Sequence, residues 1–305
     1  MKTNILIAGG SGLIGSRLMS YLSSDKYHFH ILSRSEKVDK GNVSYFKWST
    51  QDMTIDLKAF ENVDVVINLA GAGIADKRWT AARKKEILDS RLDSITCLTH
   101  GLAQLDTKPS LYIGASAVGY YGNQGDKLMT EDNPAGTGFL AEVTEAWEAA
   151  SVALGQQFER STILRIGIVL SKNGGALKEI LKPAAMGTYG YFGDGSAYYS
   201  WIHIDDICKI IESHIKEEKY EGIYNATAPS PVTIKELVKA VKRAKNGFGL
   251  VMPVPTLALK LAMGEMVQML TDSMRVQPER LMAEGYSFDF DDPVVAIKDI
   301  LDRKV

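Results

Sequence analysis

Residues 4–16 read NILIAGGSGLIGS, and this stretch decides the fold. Ile5–Ala8 is a short unbroken apolar run, the pattern of a strand buried on both faces in a parallel sheet. Gly9, Gly12 and Gly15 follow at intervals of three, and from Leu13 to Leu22 apolar residues recur at helical spacing, with Ser11 as the expected N-cap. Each glycine has a physical reason. Gly9 permits a tight turn, Gly12 lets backbone approach a pyrophosphate, and Gly15 lets the helix pack closely on the strand. The free amides of Gly10, Ser11, Gly12, Leu13 and Ile14 and the positive end of the helix then suit an anion. A dinucleotide site is the expectation.

The rest of the chain bounds the reading. Its 305 residues accommodate one large α/β domain with a smaller appendage, and a composition 45% hydrophobic and 24% charged is that of an ordinary globular protein. A net charge of −2 argues against a nucleic-acid partner. Cys97 and Cys208, isolated and far apart, give neither a disulfide framework nor metal-ligand spacing, so a cytoplasmic protein without a metal is expected. The apolar run after Lys2 is only a strand in length, so no targeting segment is expected. Val251–Leu270 is the longest apolar stretch of helical character. Pro253, Pro255, Lys260 and Glu265 interrupt it, so it reads as an amphipathic helix packed on the protein, and no membrane partner is expected.

A second strand is expected at His28–Leu32, running into Ser33-Arg34-Ser35. In dinucleotide folds the residue after the second strand faces the adenosine ribose: an acid there accepts from the 2′-hydroxyl of NAD, whereas an arginine suits the 2′-phosphate of NADP. Arg34 holds the place, and a planar guanidinium matches phosphate with two parallel hydrogen bonds. NADP is therefore the expected cofactor. Val43–Trp48 and Val63–Leu69 read as further strands, the latter opening into Leu69, Ala70 and Gly71, small enough in sum to let a cofactor lie across the sheet edge. A long helix is expected over Trp79–Leu105, and another strand over Pro109–Ala115, ending at Ser116-Ala117-Val118-Gly119-Tyr120-Tyr121-Gly122.

Over its whole length the chain resembles the extended short-chain dehydrogenases/reductases, in particular the NAD(P)-dependent epimerase-like group with a C-terminal domain of no assigned role. The resemblance rests on GGSGLIG, on the SR at Arg34, on NLAGA, and on ASAVGYYG around Ser116. It extends to LRIGIVL (164–170), SWIHIDD (200–206), NATAPSPVT (225–233) and RVQPERL (275–281). It implies NADP binding, with Glu86 and Arg91 of the KEILDSR stretch at the cofactor. It also exposes a departure. Enzymes of the superfamily use a Tyr-x-x-x-Lys pair, the tyrosine shuttling the proton, yet none of the 13 tyrosines here has a lysine four residues on. Phe139 and Val143 have the spacing and cannot transfer a proton. Ser116 matches the superfamily's serine, and the nearest proton sources in sequence are Tyr120, Tyr121 and Glu142.

Beyond Leu170 the strand pattern weakens. Gly174–Gly187 reads as a turn and helix, Tyr189–Tyr199 as an aromatic loop, and Thr233–Ala244, Leu257–Leu270 and Pro293–Leu301 as helices. The expected architecture is α/β: a Rossmann-type doubly wound parallel sheet over 1–170 and 201–227, and a smaller, mostly helical substrate lobe from 171–200 and 228–305. The expected function is an NADP-dependent oxidoreductase or epimerase-like enzyme for a small polar substrate, of sugar or nucleotide origin by resemblance. The rival is a non-catalytic NADP(H)-binding redox sensor, and assembly into a homo-oligomer stays open.

Overall fold

The computed structural model describes residues 2–303, so residues 1, 304 and 305 of the expected domain ranges lie outside the described residues. The first half alternates strand and helix: β1 (Thr3–Ala8), α1 (Leu13–Tyr21), β2 (Tyr27–Ser33), β3 (Val43–Ser49), β4 (Thr54–Ile55), β5 (Val65–Asn68), α2 (Ala81–Leu102), β6 (Leu111–Ala117), β7 (Leu128–Met129), α3 (Phe139–Gly155) and β8 (Arg160–Ile166). Then come β9 (Ile168–Leu170), α4 (Gly175–Ala184), β10 (Thr188–Phe192), β11 (Tyr198–Tyr199), β12 (Trp201–His203), α5 (Ile204–Lys216) and β13 (Gly222–Ala226). The chain closes with β14 (Val232–Thr233), α6 (Ile234–Ala244), β15 (Leu250–Val254), α7 (Thr256–Met263), α8 (Gln268–Thr271), β16 (Arg275–Val276), α9 (Glu279–Ala283) and α10 (Pro293–Asp302).

Eight strands form one sheet in the order β13-β8-β6-β5-β1-β2-β3-β4, parallel except for β4. Helices cover both faces, so the inner strands carry apolar residues on both sides, and Ile5, Leu6, Ile7, Val66 and Ile67 are fully buried. After β1 the chain lays β2 and β3 on one side, then returns to place β5 on the other. The carboxyl ends of β1 and β5 therefore flank the point where strand order reverses, the place where open α/β sheets collect ligands. This is the doubly wound parallel fold.

A second hydrophobic cluster lies apart from the sheet. It joins Leu177 and Ile180 of α4, Tyr189 of β10, Leu237 and Val241 of α6, and Ile297 and Ile300 of α10. The ladder of β9 with β12 is the seam between the two: Trp201 turns into the second cluster and its neighbour Ile202 into the first, as alternation along a strand requires. Leu281 of α9 packs on the sheet cluster, joined by Tyr286 and Phe288.

Several local expectations change. The long helix starts at Ala81, because Thr80 accepts from the Arg83 amide as its N-cap, and Trp79 stays outside with its indole donating to the Ile74 carbonyl. β8 and β9 are separated at Gly167, where a Cβ would stand 2.5 Å from the Ser200 carbonyl oxygen. The aromatic stretch 189–199 is not merely a loop: β10 pairs in parallel with β15, a strand where helix is expected from Val251. Pro253 and Pro255 deny that segment helical hydrogen bonds, and its valines suit a strand. The helix expected to Leu270 is instead α7, a 3₁₀ turn from Gly264 (φ +62°), and α8. The lobe is thus less helical than expected.

One buried group makes acid stability testable. His214 on α5 is fully buried, donates Nδ1–H to the Ile210 carbonyl at 2.8 Å, and stacks on Tyr220 at 4.4 Å. Burial lowers its pKa from 6.5 to about 4. The unfolded chain therefore takes up a proton near pH 6.5 that the folded chain refuses until about pH 4, so stability falls as pH drops through that window. The loss from this ring is at most about 3 kcal/mol. In His214→Phe, urea-unfolding free energy should decline less between neutral pH and about pH 4.5 than in the unaltered chain; identical declines would show that this ring does not titrate as described.

Candidate active site

The site begins at the turn between β1 and α1. Gly9 has φ +83°, and a Cβ there would lie 2.7 Å from the Leu69 carbonyl, so the turn is pressed directly on the loop after β5. A Cβ on Gly15 would lie 2.7 Å from the Gly10 Cα and the Gly9 oxygen, so α1 also sits flush on the turn. Gly12 differs: a Cβ would meet only the Gly9 oxygen, at 3.2 Å, and its remaining side is open. Gly12, not Ser11, is the N-cap of α1, and no side chain caps it; Ser11 is exposed in the turn. The expected serine cap fails because the turn holds the serine one residue too early. Uncapped first-turn amides and an open glycine face are what an anionic diphosphate needs. Leu13 and Ile14 follow, half-buried, and Leu13 touches the positions of Gly174 and Gly175 where the lobe's first helix begins.

Beside this turn, Ala8 is in register with Leu32, so Ser33, Arg34 and Ser35 emerge next to Gly9 and Gly10. The Ser33 hydroxyl donates to the Ser35 carbonyl at 2.7 Å and curls the chain, leaving Arg34 exposed at the tip. On the other side, buried Asn68 shapes the loop after β5: its Oδ1 accepts from the Ala70 amide at 3.1 Å and its Nδ2 donates to Ser94 at 3.2 Å. Leu69 and Ala70 abut Gly9. Gly71 abuts Arg91, whose Cζ would lie 3.2 Å from a Cβ there.

Arg91 and Arg83 on α2 hold this loop by its carbonyls. Arg91 donates to Ala72 at 3.2 Å and to Ile87 at 2.8 Å, and lies 4.8 Å over the Trp147 ring; Arg83 donates to Gly73. Burial, then the nearby Arg83, lowers the Arg91 pKa to about 10. No carboxylate pairs with Arg91 among the described residues, so a largely buried cation stands at the cleft without an anion. Glu86 is half-exposed and paired with Arg83 at 2.7 Å, which holds its carboxyl below the usual range.

Ser116 lies near the carboxyl end of β6, two residues beyond Gly114, the partner of Asn68. It is 2% exposed, and its Oγ has no hydrogen-bond partner, an orphaned hydroxyl at the sheet edge. The three proton sources near it in sequence fare differently. Glu142 is exposed on the first turn of α3, without the burial an acid role asks of it. Tyr121 is fully buried, donates to Asn225 Oδ1 at 2.7 Å and accepts from Arg165 at 2.8 Å. Burial, partly offset by Arg165, pushes its pKa up to about 12. Tyr120 is half-buried with the Arg165 guanidinium 3.6 Å over its ring, and its hydroxyl takes no part in that network.

Arg165 is the residue that sequence reasoning missed. It supplies the cation that the segment around Tyr120 and Tyr121 lacks locally, and is itself held by Glu148 through two contacts of 2.7 and 2.9 Å. Only pairing across the sheet, Ser116 with Arg165 and Arg165 with Asn225, brings these groups together. The place of the Tyr-Lys pair is apolar. Phe139 meets Trp79 edge-on at 4.8 Å, Val143 is buried, and both join Ile87 and Met266 in one cluster.

A glycine-turned β-α unit at the switch point, a serine near the end of β6 and a helix facing it define a nucleotide-binding α/β protein of the short-chain dehydrogenase/reductase class. The chain belongs to the NAD dependent epimerase/dehydratase family, whose model matches residues 5–227, and a domain of unknown function, DUF1731, matches residues 254–300. An epimerase family protein of Mycobacterium bovis is 35% identical over 285 residues, covering 93% of each chain. The human epimerase family protein SDR39U1 (isoform 2), solved with NADPH, superposes with a TM-score of 0.87 at 27% identity over 98% of this chain and 99% of that one. A nucleoside-diphosphate sugar epimerase of Corynebacterium glutamicum gives 0.78 at 29% identity over 99% of this chain and 58% of that one.

The open face of Gly12 offers a direct test. At φ −73° the position accepts an L side chain, so Gly12→Val should leave far-UV circular dichroism native while removing detectable binding of nicotinamide dinucleotides. Retained micromolar binding would place the cofactor elsewhere.

Proposed function

We propose that this protein is an NADP(H)-dependent oxidoreductase of epimerase-like type that acts on a small polar carbonyl or alcohol of sugar or nucleotide origin. The observation that carries it is the turn at Gly9–Gly12, open on one face and uncapped, with Arg34 exposed at its mouth. Support for NADP over NAD comes from Arg34 and from the human relative solved with NADPH. Support for the substrate class comes from the Corynebacterium relative described as a nucleoside-diphosphate sugar epimerase.

In this reading the first-turn amides of α1 hold the diphosphate and Arg34 the 2′-phosphate. Arg91 supplies a cation beside Gly71. The bound cofactor supplies or accepts a hydride. Ser116 Oγ donates to the substrate oxygen as charge develops on it, which a hydroxyl without an internal partner is free to do. Tyr120 is the proposed proton source, because the Tyr121 hydroxyl is committed to Asn225 and Arg165 and Glu142 faces solvent. The apolar setting of Phe139 and Val143 favours a second reading, an NADP(H)-binding protein that reports redox state to a partner.

The readings separate on a panel of carbonyl substrates with NADPH: turnover supports the enzyme, and a change of oligomeric state on NADPH binding without turnover supports the sensor. Arg34→Ala should weaken NADPH binding by roughly 1.5–3 kcal/mol and leave NADH nearly unchanged, as read by nicotinamide fluorescence. Equal losses for both would remove Arg34 from the phosphate. With a substrate in hand, Ser116→Ala should lower turnover by about ten- to a thousand-fold at unchanged cofactor affinity; normal turnover would make Ser116 structural.

A further inference from the structure

At the end of the lobe remote from the glycine turn, large apolar side chains stand in solvent. Phe248 is 98% exposed, Met186 86% and Leu250 71%, and Met252 projects from the same outer face of β15 as Leu250. They form one group. The Leu250 amide donates to the Gly187 carbonyl at 3.1 Å, and a Cβ on Gly249 would lie 2.0 Å from that same oxygen, so the turns bearing Met186 and Phe248 touch. Scattered exposed apolar residues need no explanation, but two on abutting turns with two more on the strand that follows do.

Their surroundings are cationic. Between Glu236 and Glu265 the chain has no acid and carries Lys239, Lys242, Arg243, Lys245 and Lys260. Lys239, Lys242 and Arg243 line a surface groove of about 610 Å³ with Asn246, Gly247 and Val251, beside the apolar turns. Lys242 and Lys245 donate to the Gly249 and Ala184 carbonyls, which accounts for their placement at the end of α6. Lys239 and Arg243 are exposed, and among the described residues none of these four cations pairs with a carboxylate. In a chain of net charge −2 this concentration of positive charge singles out one end of the molecule.

We propose that this end of the lobe docks on the surface of an anionic lipid bilayer, with Phe248 and Met186 entering the headgroup layer and Lys239, Lys242, Arg243 and Lys245 set against lipid phosphates. Charge complementarity selects an anionic occupant. The most exposed apolar side chains, Phe248 and Met186, select a lipid layer, because they protrude from turns instead of lining a hollow that a partner protein would fill. No described helix is long and apolar enough to cross a membrane, and surface docking requires none. Apolar runs in a sequence signal a spanning segment, and a docking surface built from exposed turns and lysines leaves no such run.

The test is co-sedimentation of the full chain with phosphatidylcholine vesicles and with the same vesicles containing phosphatidylglycerol. The chain should bind the anionic vesicles and not the neutral ones, and binding should fall as salt rises. The double variant Lys239→Gln, Arg243→Gln should bind roughly 25-fold more weakly, about fivefold for each surface cation. Phe248→Ser should lower affinity roughly tenfold with the salt dependence unchanged. Both variants should titrate with NADPH as the unaltered chain does, which separates loss of docking from loss of fold. Absence of binding to the anionic vesicles overturns the proposal. So does equal affinity of Phe248→Ser, and so does binding to soluble polyglutamate without binding to vesicles, which would assign the surface to an acidic protein.

Discussion

The contact between two loops at the carboxyl ends of β1 and β5 is the constraint on which the rest depends. With Gly9 held at φ +83° and the Leu69 carbonyl within 2.7 Å of where its Cβ would be, the first turn admits no side chain at Gly9. Gly15, equally close to Gly10, fixes where α1 begins. These two contacts leave Gly12 as the one glycine of the triplet with an open side, and they aim the uncapped amides of α1 at the same space. Asn68, Arg83 and Arg91 complete the device by tying down the loop that Gly9 rests on. The turn is shaped by backbone contacts, and the side chains around it serve mainly to hold that backbone still.

The opposite wall of the cleft is built on another principle. Where the superfamily's acid-base pair would stand, Phe139 and Val143 join Trp79, Ile87 and Met266, so the start of α3 is held by packing from α2 and from the C-terminal segment. The Arg78 guanidinium donates to the Leu261 carbonyl at 2.7 Å, and Lys84 pairs with Glu265, fastening the same segment across that cluster. Polar chemistry is displaced to the strand ends, to the unpartnered Ser116 and to the tyrosines under Arg165. Arg165 is itself neutralised by Glu148, so the buried network is closed and its formal charge balanced. Ser116 is left with an unused donor beside it.

What the sequence disclosed follows from range. The β1 strand, the glycine triplet and the start of α1 lie within a dozen residues and carry local patterns, so the fold class was legible there. The position of Arg34 just past β2 was legible because the apolar run before it marks where that strand ends. Arg165 was not, since it meets Tyr121 44 residues away, through strand register that no local pattern encodes. Ser11 was misplaced by one residue because capping geometry depends on the turn's φ and ψ values. The strand at Leu250–Val254 was hidden because its apolar residues match a helical spacing as well as a strand, and only the prolines and the pairing with β10 decide between them. Glu86 and Arg91 came from resemblance alone, and the fold sends them to different tasks: one neutralises Arg83, the other faces Gly71.

Calorimetric titration of the unaltered chain with NADPH and with NADH, each at low and at physiological salt, reaches the centre of this account. A backbone-built diphosphate site with an exposed arginine at its mouth predicts binding of both nucleotides at one site, NADPH roughly tenfold or more tighter, with a preference that narrows as salt screens Arg34. Equal affinities for the two, or no binding of either, would contradict it.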